Sequence, residues 1–320
     1  MLATSPMPYA TLGVPRPCSA GELCKAMLAA SVNPGSLDAS GLDRTLRHDA
    51  ERALLEVQAG VTWRSLERYV GADFLPGTVG ESIAANHAGP DGRPMVEHLR
   101  ALTLATGDGE LRRASRERES ELFRLAVGGF GALGPFYSLT LDLASLASSA
   151  ARAAAPARIE LPDSGGEGPR FAVELLVPPQ CSDAVIGQVR AALQERRCSL
   201  SLLQARRVFP EAETLLRWAR CEYAALGIEF RTRATLGAVA SAAQLRGRLI
   251  DLAIGAGGSF MPQSLATATR AQAAVCYPML SVFLAEKRRH DPAERVLTPW
   301  YRAVRRMWRT DACRVRWAKD

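Results

Sequence analysis

Short apolar segments, separated by glycine and polar residues, run through the first half of the chain, and each predicts a brief strand or helix. The segment 54–63 (LLEVQAGVTW) predicts a strand that breaks at Gly60, and 64–70 predicts a short helix. The segment 102–114 predicts a β-hairpin, because the sequence GDG at its centre is typical of a tight turn. Ser19 is a typical cap for an amphipathic helix that follows it. The first half is therefore expected to mix strands with short helices.

Beyond residue 169 the predicted elements are longer. They are, in order, strand 171–178, helix 182–196, strands 199–209 and 223–232, helix 241–257 and a short strand from Ser259. This βαββαβ order is that of the ferredoxin-like arrangement. The stretch 144–169, rich in Ala, Ser, Gly and Pro, predicts a boundary between two domains. From Thr269 onward the chain is predicted to be helical, with an interrupting turn at 290–292.

One glycine motif, GFGALG (129–134), matches the G-x-G-x-x-G pattern of dinucleotide-binding folds. In those folds a strand enters the motif and a helix leaves it, so that the helix N-terminus binds the pyrophosphate. Here the preceding segment 115–126 predicts a helix, and the following segment 135–143 predicts a strand. The order is reversed, which excludes a Rossmann unit.

Composition and charge are those of a globular protein with a basic excess. The 320 residues are 48% hydrophobic and 23% charged, and the net charge is +7. The basic residues are spread along the chain, so we expect no nucleic-acid partner. The arginine-rich end (302–320) leaves two alternatives: a helix that packs on the first domain, or a contact with an acidic partner or a membrane surface.

Cysteine usage and hydropathy bear on the compartment. The seven cysteines show no paired spacing, which is typical of reduced thiols in a cytoplasm. The first residues lack a basic start followed by an apolar run, so no signal peptide is expected. No apolar stretch has the composition of a transmembrane helix. The sequence therefore predicts a soluble cytoplasmic protein.

Four segments together resemble a known family. They are VQAGVTWRSLERYV (57–70), TVGESIAANHAG (78–89), the run 104–143 and FLAEKRRHDPAERVLTPWYR (283–302). Their order and spacing are similar to those of the flavin-dependent oxidoreductases of the vanillyl-alcohol oxidase / p-cresol methylhydroxylase (PCMH) type. The likeness covers roughly residues 13–145 and 240–305.

The resemblance implies an α+β fold in which a PCMH-type FAD-binding domain carries a ferredoxin-like cap. The implied parts are the FAD-binding domain (1–145), a linker (146–168), the cap or substrate domain (169–265) and helices that return to the first domain (266–320). In this family the glycine-rich loop that residues 128–134 resemble lies between a helix and a strand. The predicted helix before this segment and the predicted strand after it agree with that order.

The resemblance also implies FAD as a cofactor and a set of residues that hold it. The implied flavin contacts are Gly80, Ser82, Asn86, Gly128, Gly129, Gly131 and Gly134. The alternative for the glycine loop is a tight connection between helix and strand without a ligand. The family's histidine for covalent flavin attachment has no counterpart in this chain, so FAD is expected to bind non-covalently. No metal-binding motif is present, and no metal is expected.

Two departures from the family put the cofactor in question. The Gly-rich loop that normally cradles the pyrophosphate is reduced to SVNPGS (31–36), in which Pro34 has no N–H to donate. Glu81 replaces a second glycine after Gly80. A carboxylate about 4 Å from a phosphate costs about 4 kcal/mol at an effective dielectric near 20. The alternative for Glu81 is a surface side chain that points to solvent.

The sequence offers few candidates for a catalytic base. Oxidation of a C–OH group needs a base to accept the hydroxyl proton. The segment 257–269, where relatives carry Tyr or His near the flavin ring, has no ionisable side chain. Among the four histidines, the resemblance places only His87 near the cofactor, and the alternative is a structural loop histidine.

Two functions from different classes follow. The first is an FAD-dependent oxidoreductase that acts on a CH–OH or related group of a small molecule. The second is a cofactor-free pseudo-oxidase that serves as a partner subunit or scaffold. The shortened loop and Glu81 favour the second, whereas the later glycine run favours the first. The sequence leaves the oligomeric state open.

Overall fold

The fold consists of two antiparallel five-stranded sheets with helices around them. The computed structural model describes residues 14–29, 37–72, 74–155, 157–159 and 168–309. The strands are β1 (Thr45–Asp49), β2 (Leu54–Gln58), β3 (Leu99–Ala105), β4 (Leu111–Ser115), β5 (Phe136–Asp142), β6 (Ala157–Ile159), β7 (Arg170–Val177), β8 (Ser199–Val208), β9 (Tyr223–Arg231) and β10 (Ser259–Phe260).

The helices are short except in the second half of the chain. They are α1 (Ala20–Leu28), α2 (Glu67–Val70), α3 (Val79–Ala84), α4 (Ser120–Ala126), α5 (Leu143–Ala151), α6 (Ser182–Glu195), α7 (Leu236–Gly255), α8 (Arg270–Cys276), α9 (Leu280–His290) and α10 (Pro299–Arg309). Among the described residues, no helix has the length and apolar character needed to cross a membrane.

The first sheet has the strand order β1-β2-β5-β3-β4. The predicted hairpin is confirmed, since β3 and β4 pair antiparallel with Ala105 opposite Leu111. The central strand β5 pairs with both β2 and β3. Its residues Leu139 and Leu141 are fully buried, which places the core of this part around β5.

The second sheet has the order β10-β7-β9-β8-β6, and every neighbouring pair is antiparallel. Its elements follow one another as β7-α6-β8-β9-α7-β10, which is the predicted βαββαβ order. Val189 of α6 and Leu249 of α7 are fully buried in the core of this part. Strand β7 is covered on both faces, because every residue from Val173 to Val177 is buried.

Two helices differ from the prediction, and local hydrogen bonds account for both differences. The helix predicted over 115–126 begins only at Ser120, because the backbone N–H of Ser115 donates to Arg118 and closes a turn. Residues of the predicted linker form α5, whose N-cap Asp142 accepts a hydrogen bond from the N–H of Ser145. The composition of this stretch concealed the helix, because Ala and Ser are also common in linkers. The predicted SVNPGS interval lies outside the described residues.

A buried ion pair fixes the C-terminal helices against the first sheet. Lys287 on α9 has no exposed surface and donates to Asp291 at the end of the same helix. Asp291 also accepts from the backbone N–H groups of Arg295 and Val296, each at 2.9 Å. The Lys287 ammonium lies 5.0 Å from the centre of the Tyr301 ring. Burial lowers the pKa of Lys287, and the Asp291 carboxylate opposes that shift.

A buried histidine connects the segment before β3 to α5. His98 is 1% exposed, its Nδ1 lies 2.6 Å from the Ser145 hydroxyl, and its ring packs edge-on against Phe74. Burial lowers the pKa of His98 to about 4, against the opposing effect of Asp91 and Asp142. His98 is therefore neutral at pH 7.

Replacing Lys287 by Met should cost about 3 kcal/mol of the free energy of unfolding, because the Asp291 carboxylate stays buried without its cation. The measurement is urea unfolding of both proteins at pH 7. Arg248→Met is the matched control, since Arg248 pairs with Glu195 on the exposed surface. That pair should contribute less than about 1 kcal/mol. Equal losses in the two variants would contradict the role given to the Lys287 pair.

The stability of the protein should fall as the pH drops from 7.5 to 5. His98 takes up a proton readily in the unfolded chain, near pH 6.5, but in the folded protein only near pH 4. The unfolded state therefore binds more protons in this window, and the imbalance at His98 destabilises the protein by about 2 kcal/mol.

His98→Asn keeps a polar group near the position of Nδ1 and removes the titration. Unfolding free energies of wild type and variant, measured at several pH values, isolate the contribution of His98 from those of other groups. A variant as pH-dependent as the wild type would contradict the buried neutral histidine.

Candidate functional site

Helix α3 begins with a closed cap. The Thr78 hydroxyl accepts from the N–H of Glu81 at 3.2 Å, and the Glu81 carboxylate accepts from the N–H of Thr78 at 3.1 Å. This reciprocal pair is a capping box. Glu81 is exposed, but its carboxylate turns back to the helix start instead of extending into solvent. The backbone N–H of Thr78, at the start of α3, therefore already donates to an acidic side chain.

Gly80 and Ser82 are buried and serve the packing of α3. The N–H of Gly80 donates to the carbonyl of Ala59 at 2.8 Å, and a Cβ at Gly80 would lie 2.7 Å from that oxygen. The Ser82 hydroxyl accepts from the Trp63 indole at 2.8 Å and donates to the Thr78 carbonyl at 3.1 Å. Gly80 and Ser82, both predicted to contact the flavin, are therefore hydrogen-bonded to groups within the protein.

Asn86 follows α3 with a positive φ of 47° and no exposed surface. Its side-chain oxygen accepts from the N–H of Val96 at 2.9 Å, and its backbone carbonyl accepts from the Trp218 indole at 2.9 Å. Its side-chain nitrogen Nδ2 is buried and has no hydrogen-bond partner among the described residues. A buried amide without a partner is costly, so Asn86 has a donor available for a ligand.

The glycine loop 128–134 is bonded to the end of α3. The N–H of Gly128 donates to the Ile83 carbonyl at 3.2 Å, and the N–H of Phe130 donates to the Ala84 carbonyl at 2.9 Å. Within the loop, the N–H of Gly134 donates to the carbonyl of Gly131 at 3.1 Å. These amides point to protein carbonyls, which leaves them unable to cradle a ligand in this conformation.

Three loop glycines are required by close packing or by a positive φ. A Cβ at Gly134 would lie 1.9 Å from the Ala105 carbonyl oxygen, and one at Gly129 would lie 2.4 Å from that of Leu125. Gly131 has a φ of 68°, and the nearest atom to its Cβ position is a methyl of Thr298 at 3.7 Å. A Cβ at Gly131 would therefore make only an ordinary van der Waals contact, and Gly131 is partly exposed, whereas Gly129 and Gly134 are closely packed.

The ring of Phe130 covers the outer side of the loop. It stacks on Trp300 of α10 with ring centres 4.6 Å apart and an angle of 19° between the planes. Phe130 itself has a φ of 51°, a strained value for an aromatic residue. The Trp300 indole donates to the Pro262 carbonyl at 3.0 Å, which fixes the stack.

His87 lies where the first part of the molecule meets the second sheet. Arg206 of β8 donates to the Ala88 carbonyl at 3.3 Å and to Glu174 of β7 at 2.9 Å, so these groups meet beside His87. Burial lowers the pKa of His87 below its usual range, and the Glu174 carboxylate opposes this shift. His87 is therefore neutral at pH 7 and able to accept a proton.

Sequence reasoning did not identify Glu174 and Arg206 as partners of His87. They are 32 residues apart, and their strands β7 and β8 are separated in the sheet by β9. One signal was present, because Glu174 is a charged residue in a strand whose neighbours Val173 and Leu175 are apolar. The same sheet carries a second such pair, Arg170 with Glu229 at 3.0 Å.

One cluster of metal-ligand type occurs among the described residues. Glu121, Glu286 and His290 place one ligand atom each within 4.8 Å of one another. Arg289 already forms ion pairs with both carboxylates. A guanidinium therefore supplies the positive charge that a metal ion would bring.

The fit of these residues to a flavin differs from one to the next. Gly131, which is partly exposed and has a positive φ, suits a contact with FAD, and the buried Asn86 has an unpartnered side-chain nitrogen. The other five predicted contacts are buried and have no such free donor: Gly80, Ser82, Gly128, Gly129 and Gly134. Ser82 and the amides of Gly80 and Gly128 also have internal partners. Any flavin would therefore be held by fewer contacts than the sequence implies.

Comparison with known proteins supports the fold. No protein-family model matches the chain, and no curated protein sequence matches it. Among solved structures, BBE-like 1 of Physcomitrella patens is similar with a TM-score of 0.65 and 12% identity over 89% of each chain. An aspartate-to-asparagine variant of that protein is similar with a TM-score of 0.63, the same identity and the same coverage.

Both structures are berberine bridge enzyme-like proteins, which are FAD-linked oxidoreductases. At 12% identity the likeness establishes a shared architecture of helices and antiparallel sheets. It extends over both sheets, because 89% of this chain is covered. The chain therefore shares the overall fold of these two structures.

Proposed function

We propose that the chain is an FAD-dependent oxidoreductase that acts on a CH–OH or related group of a small molecule. The observation that carries the proposal is the likeness to BBE-like 1 over 89% of both chains. In this proposal the first sheet belongs to a PCMH-type FAD-binding domain, and the β7–β10 unit is a ferredoxin-like cap. Their meeting point at His87 is the reaction site, and the protein is cytoplasmic.

A bound FAD would supply a hydride acceptor for the oxidation of the substrate carbon. The hydroxyl proton needs a separate acceptor, and the neutral imidazole of His87 serves as this base. Glu174 beside it stabilises the imidazolium that forms, because an opposite charge nearby favours the protonated ring. Arg206 keeps the Glu174 carboxylate in place through their 2.9 Å contact. Asn86 and Gly131 are the residues proposed to hold the flavin.

Addition of FAD should raise the melting temperature of the purified protein modestly. Few of the predicted flavin contacts have a free hydrogen-bond donor, so we expect FAD to bind weakly. A ligand present at ten times its dissociation constant stabilises the native state by about 1.4 kcal/mol. For a protein of this size the rise should be about 2–4 °C. The measurement is thermal unfolding with increasing FAD, together with the visible spectrum of the dialysed protein. An unchanged melting temperature at millimolar FAD would contradict the proposal.

Glu81→Gln should tighten FAD if a phosphate approaches the start of α3. Glutamine preserves the capping box, so helix stability is retained while the negative charge is removed. The gain should be up to about three orders of magnitude in affinity. Calorimetric titration measures it, and Glu195→Gln on exposed α6 is the charge-matched control. Equal affinities for Glu81→Gln and wild type would show that no phosphate lies near the Glu81 carboxylate.

A second candidate function is a cofactor-free scaffold or partner subunit. The observation that favours it is the burial of six of the seven predicted flavin contacts in the ligand-free protein, Gly131 being the exception. In this case the glycine loop is a tight connection between α4 and β5. A colourless protein whose melting temperature does not change on addition of FAD would support this candidate function.

A further inference from the structure

A cleft of about 490 Å³ opens between the loop that follows His87 and the end of β8. Four alanines line the cleft and are called the alanine floor: Ala154 and Ala155 after α5, Ala157 of β6 and Ala205 of β8. Four arginines line it, Arg93, Arg152, Arg206 and Arg207, together with a single acidic residue, Asp91. The small side chains of the alanine floor leave the volume open, and the lining is rich in arginine.

The frame of the cleft is fixed by backbone contacts. The N–H of Phe209 donates to the Gly92 carbonyl at 3.0 Å. Gly92 has a φ of 84°, and a Cβ there would lie 2.2 Å from the Arg207 carbonyl oxygen. On the other side, the N–H of Ala154 donates to the Pro90 carbonyl at 3.4 Å. These contacts hold three separate segments of the chain together, so the arrangement exists before any ligand arrives.

The arginines are held in position but retain donors. Arg207 donates through Nε and Nη2 to Glu222, and Arg93 contacts Asp91 and Glu97 through Nε and Nη1. Within the described part of the chain, Arg152 and Arg206 likewise use two of their three side-chain nitrogens. A guanidinium carries five N–H donors, so each has more to offer.

Phe209 orders two of these arginines. The guanidinium carbon of Arg93 lies 5.2 Å from the centre of the Phe209 ring, and that of Arg207 lies 4.9 Å from it. Contacts of this kind limit the motion of otherwise mobile side chains. The side chains of Arg93 and Arg207 are still 42% and 65% exposed, so a ligand in the cleft can reach them.

We propose that this cleft binds a small organic anion whose phosphate or carboxylate group contacts the arginines while its apolar body covers the alanine floor. Several guanidinium groups around one opening match an oxyanion, because each can donate paired hydrogen bonds to two oxygens. Glu97, Glu174 and Glu222 balance most of the positive charge of the lining, so such a ligand would bind through the unused guanidinium N–H donors and not through net charge. The inference is independent of flavin binding, since none of the predicted flavin contacts lines the cleft.

The test is calorimetric titration of the full chain at fixed ionic strength. The probes are phenyl phosphate, benzoate and the neutral analogue benzyl alcohol. Both anions, or one of them, should bind, and the neutral analogue should bind at least roughly tenfold more weakly because it lacks the charge-assisted bonds. The ratio between phosphate and carboxylate identifies the preferred head group. Absence of binding by either anion at millimolar concentration would overturn the proposal.

Arg93→Gln and Arg207→Gln locate the site. Each should weaken the better-binding anion by roughly tenfold, the equivalent of one charge-assisted hydrogen bond. Folding should survive, because both side chains, Glu97 and Glu222 are at least one-third exposed, and the buried side chain of Asp91 keeps its 2.9 Å ion pair with Arg152. Arg248→Gln, an exposed arginine on α7 paired with Glu195, is the matched control and should leave affinity unchanged. Equal losses in the control and the cleft variants would refute the site.

Discussion

The buried pair of Lys287 and Asp291 is the contact that holds the C-terminal helices in place. Two charges in the interior are favourable only together, and Asp291 satisfies its remaining acceptor capacity with two backbone N–H groups. A Cβ at Gly107, in the β3–β4 turn, would lie 3.1 Å from the Asp291 carboxylate, so the hairpin packs closely against it. The stack of Trp300 on Phe130, and with it the cover of the glycine loop, depends on the placement of these helices.

The packing of Phe130 and Trp300 at the glycine loop limits the contacts that the loop can make with a cofactor. The same loop that packs against α3 would have to open its amides to a flavin, and most of them are bonded to protein carbonyls. What remains is an unpartnered but buried donor on Asn86, the partly exposed Gly131 and a neutral histidine beside Glu174 and Arg206. Few of the predicted flavin contacts are therefore free to bind a cofactor, which is compatible with either of the two proposed functions.

Local features of the structure could be predicted from the sequence, whereas contacts between distant segments could not. The strands of the second sheet and the Ser19 cap follow from periodicity and from short polar bonds. The Thr78–Glu81 capping box also had a local signal, the spacing T-x-x-E, which the family comparison obscured. The meeting of His87 with Glu174 and Arg206, and of Arg93 with Arg207, joins segments about 90 or more residues apart, and no pattern along the chain encodes it.

The bond from the Trp218 indole to the Asn86 carbonyl joins the loop between β8 and β9 to the first part of the molecule. It lies at 2.9 Å, and Arg206 and Phe209 add bonds to Ala88 and Gly92. Because these bonds cross between the two sheets, neither sheet can lose its structure without breaking contacts of the other. The two sheets also share one hydrophobic core, so a displacement of the segments around the cleft would act on the backbone near Asn86.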